Sequence, residues 1–178
     1  MTNLKAVDVQ PEPCVTRFDG VRLRYDSTRS FDELVAAVFA EVGDRPVPLE
    51  DIARRYPGWE EFAAEVESHA GPTGFMLIAR WDHGGWLAKA GIDRRVLRLV
   101  IGNPLIAITM LRHDVTAGLF APVELLLTDE QNGHSALTYV APSSLMVVEP
   151  NESLRKDAEE LDAKLATLAS KVTGATSA

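Results

Sequence analysis

The sequence predicts an α+β fold: a mostly antiparallel sheet of about five strands covered by helices, with a long C-terminal helix packed on one face. Three observations carry this. Short alternating or continuous apolar runs recur between helical patterns. Two of these runs, 123–128 and 135–140, flank a turn containing Asn132-Gly133, the dipeptide that a tight antiparallel connection favours. Near the C-terminus one stripe, Leu154, Ala158, Leu161, Leu165, Leu168 and Val172, repeats at spacings of 4, 3, 4, 3 and 4. That stripe is shorter than three full heptads, so covering a sheet is its expected use, ahead of a self-associating coiled coil.

The elements follow in order. Residues 1–13, polar with Pro11 and Pro13, read as a flexible arm. Val21, Leu23 and Tyr25 alternate with Arg22 and Arg24, a half-buried strand. Ser30 and Glu33 form a capping box for a helix with Phe31, Leu34, Val35, Val38, Phe39 and Val42 on one face, stopped at Gly43. Residues 44–73 form an insert punctuated by Pro46, Pro48 and Pro57, with one helix expected over about 59–69. A strand at 75–81 precedes "DHGGWLAKAG", a short helix with Asp82 near its N-cap and Gly91 past its end. A strand at 95–101 leads to an apolar helix from Pro104 to about Arg112. After the hairpin, "APSSL" (141–145) is expected to be a short turn, and the last helix to run from about Glu152 to Val172. Residues 14–172 thus form one domain, and 173–178 a flexible tail.

Composition narrows the function classes. The 178 residues, 46% hydrophobic and 25% charged, suit one core. A formal charge of −8, from 26 acidic and 18 basic side chains, repels phosphate backbones and argues against nucleic acid. No apolar run reaches the roughly 18 residues of a membrane span, and no apolar signal core follows Met1–Lys5. The single cysteine, Cys14, cannot close an internal disulfide and reads as an inert thiol, which fits a cytoplasmic protein. Glycine-rich nucleotide loops, the G-x-S-x-G elbow and H-E-x-x-H are absent. His69, His83, His113 and His134 show no three- or four-residue spacing, so no metal site and no cofactor is expected.

Two stretches remain. "GNP" (102–104) breaks an apolar run. Gly102 permits a bend, Asn103 is a strong N-cap and Pro104 suits the first helical position, so strand end, cap and helix start account for it. The same geometry offers helix N–H groups, and the Asn103 amide, to an anion or carbonyl. "RWDHGGWL" places His83 and Trp86 on one helical face, where His83 is either a packing residue or a proton donor and acceptor. His113, near a helix C-terminus, is accounted for by the helix dipole.

The segments 74–91 ("GFMLIARWDHGGWLAKAG"), 98–114 ("RLVIGNPLIAITMLRHD"), 117–133 ("AGLFAPVELLLTDEQNG") and 137–145 ("LTYVAPSSL") resemble the bacterial DUF302 family. "LDAKLATLA" (161–169) is similar to the C-terminal helix of some members. The likeness covers about 70–172, with strand 21–25 and its helix as a candidate extension. It implies a β-α-β(4)-α fold similar to TATA-binding-protein-like folds, often dimeric, and no established reaction. Relatives often carry Asp after the tyrosine and Arg in the "AP" segment, where this chain has Val140 and Glu124. A polar site made by that pair would be altered here. The insert 44–73 would then form a lid or an interface.

The leading expectation is a binding module for a small apolar or carbonyl-bearing molecule, lined by His83, Trp86, Gly102, Asn103, Pro104 and Tyr139. The alternatives are an oligomeric scaffold, with a homodimer expected, and an enzyme or haem-type protein using His83 or His113.

Overall fold

A computed structural model describes residues 13–130 and 132–174. The expected arm, apart from Pro13, and residues 175–178 of the expected tail lie outside the described residues. Five strands, β1 (Arg22–Ser27), β2 (Met76–Asp82), β3 (Val96–Gly102), β4 (Val123–Asp129) and β5 (Ser135–Val140), form one sheet in the order β1-β5-β4-β3-β2. Every neighbouring pair is antiparallel. The helices are α1 (Phe31–Val42), α2 (Leu49–Arg55), α3 (Trp59–Ser68), α4 (Gly84–Leu87), α5 (Pro104–Leu111), α6 (Pro142–Met146) and α7 (Glu152–Thr173).

Register assigns the faces. Leu99 pairs with Leu125, Leu127 with Leu137, and Leu23 with Tyr139, so these side chains share the side covered by α1 and α7. On α7, Leu154, Ala158, Leu161, Leu165, Leu168 and Val172 are all buried in this core. The 4-3-4 stripe is therefore consumed within the chain, as its length suggested. The Ser30–Glu33 capping box forms: the Ser30 N–H donates to Glu33 at 2.8 Å and the Glu33 N–H to Ser30 Oγ at 3.4 Å. The far end of α7 is tied down too. Ser27 Oγ donates to the Thr173 carbonyl and Arg29 to the Val172 carbonyl, at 2.8 and 2.7 Å, which satisfies carbonyls left over at a helix C-terminus. Thr173, expected to open a flexible tail, is instead the buried last residue of this helix.

The insert carries two helices rather than one. In α2 the only buried residue is Ile52, too little to make an amphipathic pattern, and flanking prolines hide it further. It is held by a small cluster of Ile52, Val66 and Met76, and the Val47 N–H donates to the Leu77 carbonyl at 2.9 Å, covering the edge strand. "APSSL" forms the short helix α6 instead of a turn, with Pro142 at its first position and Ser144 Oγ bonded back to the Ala141 carbonyl. The opposite sheet face bears Arg24, Arg98, Glu124 and Trp81. There Arg98 binds the Glu124 carboxylate and lies 5.4 Å from the Trp81 ring centroid.

Candidate functional site

The core is incomplete at the Gly102 end of β3. A cavity of about 250 Å³ opens there, walled by Phe75 and Ile78 of the edge strand region, Met110 of α5, Pro122 and Leu161 of α7. Gly102, Asn103 and Pro104 all line it, so three of the six expected ligand-binding residues converge. Gly102 is required by close approach: a Cβ would stand 2.9 Å from Pro122 Cβ. The Ala121–Pro122 bond is cis.

Asn103 is buried, and its polar atoms are already engaged. Its Oδ1 accepts the Leu105 N–H at 2.8 Å, its Nδ2 donates to the Gly74 carbonyl at 2.9 Å, and its own carbonyl accepts from Ile106 and Ala107. Pro104 has no N–H. The N–H groups of Leu105, Ile106 and Ala107 at the start of α5 are therefore taken, and the amide that the sequence offered as a ligand contact serves as a helix cap and a tie to the 71–74 turn. The cavity that results is almost wholly apolar.

The other expected residues lie elsewhere. His83 caps α4 at the far end of β3, where its N–H donates to the Val96 carbonyl at 2.8 Å. Six residue steps along a strand separate that point from Gly102, about 20 Å. The His83 ring meets the exposed Trp86 edge-on, centroids 5.5 Å apart. Asp82 acts as the sequence suggested, accepting the Gly84 N–H at 2.8 Å. Gly91 ends this turn with φ of 77°. Tyr139 is buried on β5 and stacks at 6.0 Å on Tyr25. Its hydroxyl has no hydrogen-bond partner of ordinary geometry among the described residues, and burial, with the Tyr25 hydroxyl beside it, pushes its pKa up. His113 bonds Asp157 of α7 at 3.1 Å, with neither residue beside the cavity. Asp114 accepts from the Thr116 N–H and hydroxyl, which hold its carboxyl below the usual range. Among the described residues no group of three or more His, Cys, Asp or Glu side chains could hold a metal ion. No helix among them is long and apolar enough to cross a membrane.

Sequence reasoning missed the cavity's apolar walls. Phe75, Ile78, Met110 and Leu161 look like ordinary core residues, and nothing in their spacing shows that they fail to meet. Glu124 pairs with Val100 and Val140 with Arg22, while the β4–β5 pairing ends at Leu126 opposite Thr138. In this chain Glu124 takes its cation from Arg98, one strand over.

No curated protein matches the sequence. Among solved structures, the crystal structure of an uncharacterized conserved DUF302 protein from Bacillus stearothermophilus is similar, with a TM-score of 0.59 at 18% identity, over 85% of this chain and 97% of that one. At that identity the likeness concerns the fold. Residues 52–172 match the model of the domain of unknown function DUF302, and the chain belongs to the DUF302 family.

Proposed function

We propose that the protein binds a small apolar molecule in the cavity at the Gly102 end of β3. The observation that carries this reading is a space of about 250 Å³ whose walls are almost wholly apolar and whose one amide side chain is engaged in capping α5 and holding the Gly74 carbonyl. An apolar cavity of about 150 Å³ is enough to take up benzene. An apolar occupant fits better than a carbonyl-bearing one, because the wall is almost wholly apolar and the Asn103 amide already has a partner on both its oxygen and its nitrogen. The test is a titration of methionine-methyl-labelled protein with indole. The Met110 methyl, in the cavity wall, should shift while Met146, outside it, stays in place. An unmoved Met110 at saturating indole, or equal shifts at both methyls, rules the reading out.

A specific observation favours a second reading, self-association as a scaffold. Val115 and Leu119 stand 78% and 80% exposed on the 115–120 turn, which packs against α5 and α6. A homodimer would bury them, and Leu119→Lys would then raise the dissociation constant measured by sedimentation. The lone exposed Cys14 fits a cytoplasmic setting for either reading.

A further inference from the structure

We propose that the cleft between α1 and the outer half of β2 is a second binding site, for a small zwitterion with an apolar side chain, of the class of a free apolar α-amino acid. The proposal is independent of the apolar cavity.

The first observation is a bulge. Register along β2 slips between Leu77, opposite Ile101, and Ala79, opposite Val100, so that Arg80 then faces Leu99 and Asp82 faces Leu97. Strict alternation from Leu77 would put Ala79 and Trp81 on the helix side of the sheet. The bulge turns them away and aims Arg80 and Asp82 at α1 instead. Two opposite charges thus replace what would have been core contacts, at a strand edge where α1 overhangs.

The second observation is the cleft itself. It is a half-open space of about 530 Å³. Phe31, Val35 and Phe39 form its floor at spacings of four residues along α1, beside the fully buried stripe of Leu34 and Val38. These three are only half-buried, so the apolar face of α1 is wider than the sheet beneath it covers.

The third observation is which charges are spoken for. Asp32, Asp82 and Asp93 line the cleft with Arg80, Arg94 and Arg95. Arg95 grips Asp32 through two bonds of 2.8 and 2.5 Å over the Phe31 ring, and Arg94 binds Asp129 at 2.9 Å. Arg80 lies 6.0 Å from the Phe39 ring centroid and has no ion-pair partner among the described residues. Asp93 has none either, and Asp82 uses only Oδ1, on the Gly84 N–H. One guanidinium and two carboxylates therefore remain available above an apolar floor.

These facts select the ligand class. A simple anion drawn to Arg80 would meet Asp82 and Asp93, and a simple cation drawn to those would meet Arg80 and Arg95. A zwitterion satisfies both signs: its carboxylate on Arg80, its ammonium on Asp82 or Asp93, its side chain on Phe31 and Phe39. Arg80 and Asp82 are about 6.6 Å apart along the strand, a span that a carboxylate and ammonium on one carbon can bridge with a hydrogen bond at each end.

The experiment is an NMR titration with L-phenylalanine, N-acetyl-L-phenylalanine, which lacks the ammonium, and L-phenylalaninamide, which lacks the carboxylate. The expected result is saturable shifts at the Arg80 Nε–H and the backbone of Asp82–Gly85 with L-phenylalanine alone, and an unmoved Met110 methyl. R80Q should weaken binding by about tenfold or more, the loss of one charge-assisted hydrogen bond, and D93N should do so by less. Both changes fall on exposed side chains, so the fold should persist. Equal binding of all three probes, binding of the acetylated probe in place of the free amino acid, shifts centred on Met110, or no shift at saturating probe each overturns the proposal.

Discussion

The two ends of β3 differ in almost every physical respect. At Gly102 the strand runs into a buried turn, the Asn103 amide is engaged by the chain itself, and the space left over is apolar. At Val96 it emerges beside an exposed helix edge, and the space is bounded by three acids and three arginines, of which one arginine and two acids lack ion-pair partners among the described residues. The lesson is that selectivity arises from what the surrounding chain leaves unsatisfied. Asn103 is the more suggestive residue in the sequence, but its side chain is engaged in capping α5 and holding the Gly74 carbonyl. Arg80 is unremarkable there, and the bulge makes it available.

The comparison can be broken most sharply at the apolar end. Leu161→Ala removes a residue that belongs to both the core and the cavity wall, and should cost about 2–5 kcal/mol in urea unfolding while admitting larger apolar probes. A small cost with no gain in probe size would mean that the cavity collapses and was never a stable space. Gly102→Ala forces a Cβ onto Pro122 and should cost about 1–3 kcal/mol by overpacking, with weaker indole binding. Asn103→Ala removes a cap and strands the Gly74 carbonyl, a loss of about 1–2 kcal/mol. If the Asn103 side chain is only structural, indole affinity should survive at temperatures where the variant is folded; abolished binding by a folded variant would return it to the ligand.

At the charged end the expected effects are smaller. Hydrogen bonds from Arg95 hold the Asp32 carboxyl below its usual range. A depressed carboxylate contributes stability above its unfolded value and loses it as pH falls through the folded one. Asp32→Asn should therefore flatten the acid limb of the stability-against-pH curve slightly and leave neutral stability nearly unchanged, because the pair is solvent-exposed. A large loss at neutral pH would show that the Arg95–Asp32 clamp organises the cleft rather than merely lining it.

Much of the fold was legible because it rests on local rules. The Ser30–Glu33 box, the Asn103-Pro104 helix start, the turn at Gly133 and the α7 stripe each follow from side-chain chemistry within a few residues. The short helices α2 and α6 escaped because single buried residues or prolines carry too little pattern. The expected site was half legible. Gly102, Asn103 and Pro104 are adjacent and stayed together, whereas His83, Trp86 and Tyr139 were joined to them only by residue type.

By itself the sequence determined the strands, the capped starts of α1, α5 and α7, the antiparallel hairpin and the use of the C-terminal stripe, because periodicity and capping act over one or two turns of chain. Tertiary structure alone decided the rest. Whether Phe75, Met110, Pro122 and Leu161 meet or leave a cavity depends on how distant elements pack. Which face Arg80 and Asp82 present depends on a one-residue slip against β3, and such a slip reverses every side chain beyond it.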